Sequence, residues 1–153
     1  VRDPDAIEAL ASAAFEQEWI TTAPIVLVVC MNEKIAKSTY GERGELYAFE
    51  SMGCAIQNMM LAAYSLGLGS CFVGAFDEEE VKKILNCPEF IRPLAILPIG
   101  YPDESPRPPE RDEVPQFTYI DRYGKTTDAS EWKGLVGYGK DLKRKVLKTL
   151  EKI

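Results

Sequence analysis

Apolar and polar positions divide the chain into segments of distinct period. Asp3 can cap a helix, Pro4 suits its first turn, and Ile7, Leu10, Ala11, Ala14 and Phe15 follow at helical spacing. Residues 23–31 are a continuous apolar, β-branched run, the pattern of a strand covered on both faces. Residues 32–43 are polar and turn-rich and read as a mobile connection. Residues 45–66 predict a long helix. Met52, Ala55, Ile56, Met59, Met60, Ala63 and Tyr64 make it apolar over most of its circumference, which implies burial on most sides, as a core helix or an oligomer interface. Gly67 to Ser70 end that helix, because glycine supplies a left-handed cap. Residues 71–76 predict a short strand followed by a turn. Asp77 then caps a helix whose first turn is Glu78-Glu79-Glu80. A second buried strand is expected over residues 94–100 and a short one over 118–122. Residues 102–115 hold five of the ten prolines, which excludes regular structure there. An amphipathic helix over residues 140–153 places Leu142, Val146, Leu150 and Ile153 on one face.

Composition changes this picture mainly by exclusion. The 153 residues suffice for a single domain, and 46% hydrophobic with 27% charged residues is a globular balance. The formal net charge of -6 disfavours a general nucleic-acid binder. No apolar run approaches the roughly 20 residues of a membrane span. With no signal peptide in view, a reducing cytoplasm is the expected setting. There is no histidine, which removes Ser-His and Cys-His nucleophile pairs and imidazole metal sites. The four cysteines, at 30, 54, 71 and 87, form no CxxC spacing, so no metal site is expected. Each sits among apolar neighbours, as expected of buried, reduced thiols.

Few groups suggest chemistry. Gly67, Gly69 and Gly74 fail the dinucleotide fingerprint: Phe72 stands where a glycine is needed, and the segment follows a helix rather than opening one. The carboxylates offer no catalytic pair, and Glu78 to Glu80 read as a solvated helix start. Arg107 and Arg111 on a proline-stiffened segment either hold a phosphate or are incidental surface charge. The basic stretch 140–153, with six basic and two acidic residues, either docks on the acidic body or a twin subunit, or meets a membrane or nucleic acid.

Four segments taken in order carry a resemblance. They are residues 19–24 (WITTAP), 55–63 (AIQNMMLAA), 66–76 (LGLGSCFVGAF) and 98–102 (PIGYP), with a closing match at 119–124 (YIDRYG). Together they resemble the FMN-dependent nitroreductase family over residues 1–124. The resemblance implies an α+β sandwich around a mainly antiparallel sheet, forming an intertwined homodimer with FMN in its interface. It implies one domain over 1–153, with 1–124 as family core and 125–153 as an extension. Phe72, Val73, Gly74 and Ala75 would lie along the flavin ring, with a backbone N–H of Gly74 or Ala75 reaching the ring's polar edge. Arg111, with Arg107 as a substitute for a second basic residue, would meet the phosphate. Tyr40, Tyr47 and Phe49 are candidates to line the substrate face, or to serve ordinary packing. The implied activity is hydride transfer from NADH or NADPH through flavin to a nitroaromatic, a quinone or a similar acceptor, with no side chain acting as a catalytic residue. Within the same scaffold, flavin-remodelling or dehalogenating chemistry is the alternative; outside enzymes, it is a flavin-poor interaction protein keeping only the dimer core. By the same resemblance, about 45 residues that include an FMN-phosphate-gripping segment would precede Val1.

Overall fold

Asp3 caps the first helix, accepting the Ala6 N–H on its Oδ2 at 3.1 Å, with Pro4 in the first turn. This helix, α1 (Pro4–Ala13), buries Ile7, Leu10, Ala11 and Ala13. It ends earlier than its apolar spacing suggests. Phe15 and Glu16 both take a left-handed φ of 59°, which turns the chain and leaves Phe15 67% exposed. The Gln17 N–H returns to the Ala11 carbonyl at 3.1 Å, and a 3-10 turn, Glu18–Thr22, then buries Ile20 completely.

The computed structural model describes residues 1–125; the basic segment 140–153 lies outside them. Residues 1–105 form one compact unit, and the chain from Pro106 onward begins a second. The first unit is built on an antiparallel sheet of β1 (Ile25–Asn32), β2 (Gly69–Ser70) and β3 (Ile91–Gly100), in the order β1-β3-β2. β1 runs along β3 from Ile25 opposite Ile99 to Asn32 opposite Ile91, with one irregularity between Val29 and Cys30. The fold class is therefore α+β, as expected.

Residues 71–76 do not form the strand their composition suggests, and Pro98 explains why. Gly69 pairs with Gly100, Ser70 with Ile99, and Val73 again with Ile96, all in one register. Val73 and Ile96 exchange both backbone hydrogen bonds at 3.0 Å. Two residues along, the next such exchange would need an N–H from residue 98, and proline has none. β2 therefore stops at Ser70, and the chain lifts off the sheet over Cys71 and Phe72 before Val73 rejoins it.

Helices cover both sheet faces. On one face Val26, Val28, Val73 and Ile96 meet α1 and the later helix α4 (Glu78–Ile84), whose Val81 is fully buried. On the other, Val29, Ala95 and Leu97 meet Ile56, Met52, Met59 and Met60 of α3 (Gly44–Ser65). Leu10, Ile20, Val26, Ile96 and Leu97 lose nearly all solvent contact. Each such burial is worth about 1.5–3 kcal/mol over exposure. Cover is incomplete on the α3 side. Ile25 and Leu27 of β1 stay more than one-third exposed, and α3 itself buries only Gly44, Ile56 and Ala63. Leu46, Phe49, Leu61 and Tyr64 recur on its outward side and are exposed within the single chain.

The polar stretch 32–43 is also ordered. It forms α2 (Glu33–Tyr40), capped by the Asn32 side chain accepting the Ile35 N–H at 3.2 Å, and then a 3-10 turn, Gly41–Arg43. Gly44 is required where α2 meets α3, because a Cβ there would fall on the Ala36 carbonyl. α3 ends as its glycine predicts. Gly67 has φ 74°, its N–H bonds Tyr64 O at 3.0 Å, and the Leu68 N–H bonds Ala63 O at 2.9 Å. Asp77 Oδ1 caps α4, accepting from Glu79 and Glu80 N–H at 3.0 Å each.

In the second unit, a 3-10 turn spans Val114–Gln116, and the Glu113 N–H donates to Gln116 Oε1 at 2.8 Å. Of the strand expected over residues 118–122, Tyr119 forms a β-bridge, and the chain bends and turns from Ile120 onward. Asp121 takes φ 62°, and the Ile120 N–H bonds Lys125 O at 3.0 Å. The Tyr119 and Tyr123 rings lie 4.8 Å apart at a tilt of 57°.

Candidate functional site

The segment Phe72-Val73-Gly74-Ala75 emerges from the sheet as an exposed backbone with one anchored residue. Val73 is 3% exposed and bound to Ile96; Phe72, Gly74 and Ala75 are exposed. The strand break at Pro98 produces this arrangement by freeing the chain on one side of Val73. A Cβ on Gly74 would come within 2.8 Å of Cε1 of the Phe72 ring, so glycine lets that ring fold against the main chain. The N–H groups of Gly74 and Ala75 have no hydrogen-bond partner among the described residues. The far end of the segment is tied down. Gln17 Nε2 donates to Ala75 O at 3.4 Å and to Ala14 O at 2.8 Å, and the Asp77 N–H donates to Ala13 O at 2.8 Å. Two adjacent open donors, an exposed aromatic ring and a missing Cβ fit a flat heteroaromatic ligand with acceptors along one edge.

Tyr40 and Tyr47 are brought together. Their rings meet edge to face, 5.4 Å apart at 88°. They help line a cavity of about 240 Å³ between α2 and α3, with Cys30, Ala36 and Met52 among its other walls. Phe49 is not part of that cavity. Its ring lies under the Arg92 guanidinium at 5.2 Å. Arg107 and Arg111 belong to the second unit, where both are exposed and make no ion pair among the described residues.

Arg92 escapes a reading of local pattern, as does Gln17. Arg92, on β3, binds Glu78 through Nε and Nη2 at 2.9 and 3.0 Å and Glu45 through Nη1 at 2.9 Å. Glu78 is thus an ion-pair partner rather than a solvated helix start. Donating to the Glu78 carboxylate, with the charges of Glu78 and Glu45 beside it, raises the Arg92 pKa, and burial opposes the rise. The guanidinium fixes the first turns of α3 and α4 together, and with them Phe49. The only composition-level signal was an arginine at the edge of an apolar run. The thiols also depart from expectation: all four are free, but Cys54 and Cys71 are exposed and Cys30 and Cys87 half-buried. No group of acidic or sulfur ligands able to hold a metal occurs among the described residues. None of their helices is long and apolar enough to cross a membrane.

The nitroreductase family model matches residues 2–101. A Methanocaldococcus jannaschii protein provisionally named a nitroreductase is 40% identical over 100 residues, covering 65% of this chain and 50% of that one. An FMN reductase [NAD(P)H] of Bacillus subtilis is 29% identical over 140 residues, covering 80% of this chain and 56% of that one. The solved structure of B. megaterium NfrA2 superposes with a TM-score of 0.71 at 28% identity, covering 81% of this chain and 56% of that one. The chain spans about half the length of the curated relatives it matches.

Proposed function

The chain belongs to the nitroreductase family, and from that premise we propose that its polypeptide is a flavoenzyme. It moves a hydride from NADH or NADPH to a small oxidised acceptor such as a nitroaromatic or a quinone. The observation that carries this reading is the pair of open N–H donors at Gly74 and Ala75, on a segment held at one end by Val73 and at the other by Gln17. FMN, when bound, supplies the hydride-accepting and hydride-donating ring that no side chain here provides. The chain's own part is to hold and orient. The Gly74 and Ala75 N–H groups would donate to the polar edge of the ring, and Phe72 would border it. Arg107 and Arg111 would hold the phosphate through charge-assisted hydrogen bonds. Tyr40 and Tyr47 would wall the approach of the second substrate, while Arg92 positions Phe49. The name of the B. subtilis relative supports both the flavin and the nicotinamide. A second copy of the chain would complete the site by covering the outward side of α3.

Flavin titration of the native polypeptide tests the reading. Gly74→Val is expected to lower flavin affinity while leaving the circular dichroism spectrum unchanged, because the Cβ collides with a movable ring rather than with backbone. Arg111→Ala is expected to weaken FMN binding by roughly tenfold to a hundredfold, the worth of one charge-assisted hydrogen bond, and to spare riboflavin, which lacks the phosphate. Equal losses for the two ligands would remove Arg111 from the site. A polypeptide that takes up no flavin and oxidises no NADH or NADPH would overturn the whole reading.

A further inference from the structure

The turn that follows α1 holds a backbone that side chains disfavour. Phe15 and Glu16 are not glycines, yet both sit at φ 59°, and the turn leaves Phe15 exposed. Strain of this kind persists only where the surrounding structure imposes it. Here the turn is pinned at both ends. The Glu16 N–H bonds Ser12 O at 3.3 Å, and the Ser12 hydroxyl donates to Glu16 Oε1 at 2.9 Å. The Gln17 N–H returns to Ala11 O at 3.1 Å, and the Ile20 N–H bonds Gln17 O at 3.0 Å. Residue 17 is thereby folded back over the last turn of α1. Its half-buried side chain brings the amide nitrogen to Ala14 O at 2.8 Å and across to Ala75 O at 3.4 Å. Both neighbours are carbonyl oxygens, so the amide presents its nitrogen to them and not its oxygen. Close by, the Asp77 N–H donates to Ala13 O at 2.8 Å. The end of α1 thus holds the segment 75–77 twice, directly at Asp77 and through Gln17 at Ala75.

We propose that Gln17 is a positioning residue for the Gly74 and Ala75 donors, and that the strained turn at Phe15 and Glu16 is what places it. The two donors are fixed by different means. The Gly74 N–H shares a planar trans peptide with Val73 O, which accepts from the Ile96 N–H at 3.0 Å. That bond aims the Gly74 N–H away from β3. The Ala75 N–H has no such tie, because the carbonyl of its own peptide, Gly74 O, accepts no hydrogen bond among the described residues. Gly74 gives this peptide freedom to swing. The next peptide stops it, and Gln17 holds the carbonyl of that peptide. Gln17 therefore sets the second donor while acting only through Ala75. Donors fixed toward the polar edge of a flavin favour an electron-rich ring over an electron-poor one. The purpose of the hold rests on the proposed flavin reading; the hold itself does not.

The test compares the native polypeptide with its Gln17→Leu variant, which keeps the bulk and removes the donor. In the flavin-free protein, the NMR order parameter of the Ala75 amide is expected to fall from roughly 0.85 to below about 0.6, while Val73 and Gly74 keep theirs. Flavin affinity is expected to drop roughly threefold to tenfold, equally for FMN and riboflavin, and the potential of the bound flavin to become more negative. An Ala75 order parameter unchanged by the substitution would overturn the hold. A loss confined to FMN would put Gln17 at the phosphate, and a lowered affinity with an unchanged potential would make it a stabiliser of the fold; either result overturns the positioning role. A native polypeptide that takes up no flavin would overturn the flavin reading, and the order parameters would still decide whether Gln17 holds Ala75. If Gln17→Leu does not fold, Gln17→Glu decides by the same readouts, because at about pH 8 its carboxylate keeps the reach of glutamine and cannot donate to a carbonyl.

Discussion

Gly44 and Cys30 each occupy a position that a neighbouring group defines. At Gly44 the missing Cβ is what lets α3 begin against the Ala36 carbonyl. Gly44→Ala must push backbone, not a flexible side chain. It is expected to cost about 1–3 kcal/mol, read as a lowered urea midpoint. Cys30 reports its surroundings through protonation. Its thiol is raised from 9.0 to about 11, so the folded state holds the proton more tightly than the unfolded chain does. The resulting stability is fully present below pH 9 and lost as pH rises toward 11, and Cys30→Ala should flatten that decline in urea titrations. At pH 8 the same shift leaves about a hundredfold less thiolate than a thiol of pKa 9.0 would show. Iodoacetamide is therefore expected to label exposed Cys54 and Cys71 first and Cys30 last, which mass spectrometry over time would show.

Among the elements, those announced by caps or apolar runs were legible in the sequence. α1 follows from Asp3-Pro4, α4 from Asp77, and β1 and β3 from their β-branched residues. The elements that were missed depend on distant partners. α2 buries only Ala36, so it carries no apolar period to read. The strand expected over residues 71–76 is interrupted by Pro98, a residue of another strand. The candidate site divides the same way. Gly74 and Ala75 stand in a recognisable local motif, but Gln17 and Arg92 reach their partners across the fold. Asp77 tests a local signal. Asp77→Ala removes the acceptor for two N–H groups at the start of α4 and is expected to cost about 1 kcal/mol. Faster amide exchange at Glu79 and Glu80, with a lowered Tm, would register it.

On the scale of the whole molecule, the helix expected to be a core helix or an oligomer interface is covered on one side only within the chain. Leu46, Phe49, Leu61 and Tyr64 form an apolar stripe on α3, next to a strand whose Ile25 and Leu27 are also partly open. The proposed second copy accounts for both exposures. Leu61→Lys should then shift sedimentation equilibrium toward monomer and raise the binding of a hydrophobic dye, whereas a wild-type polypeptide that stays monomeric at high concentration would refute the pairing. The prolines of β3 have a further consequence, which arises before the sheet exists. Ten residues as apolar as Ile91–Gly100 would be a hazard in a newly made chain, since such strands stack on their own copies. Pro93 and Pro98 leave only Leu94 to Leu97 uninterrupted, too short a run for a stable stack. The residue that halts β2 in the folded protein thus also protects the nascent chain from amyloid-like aggregation.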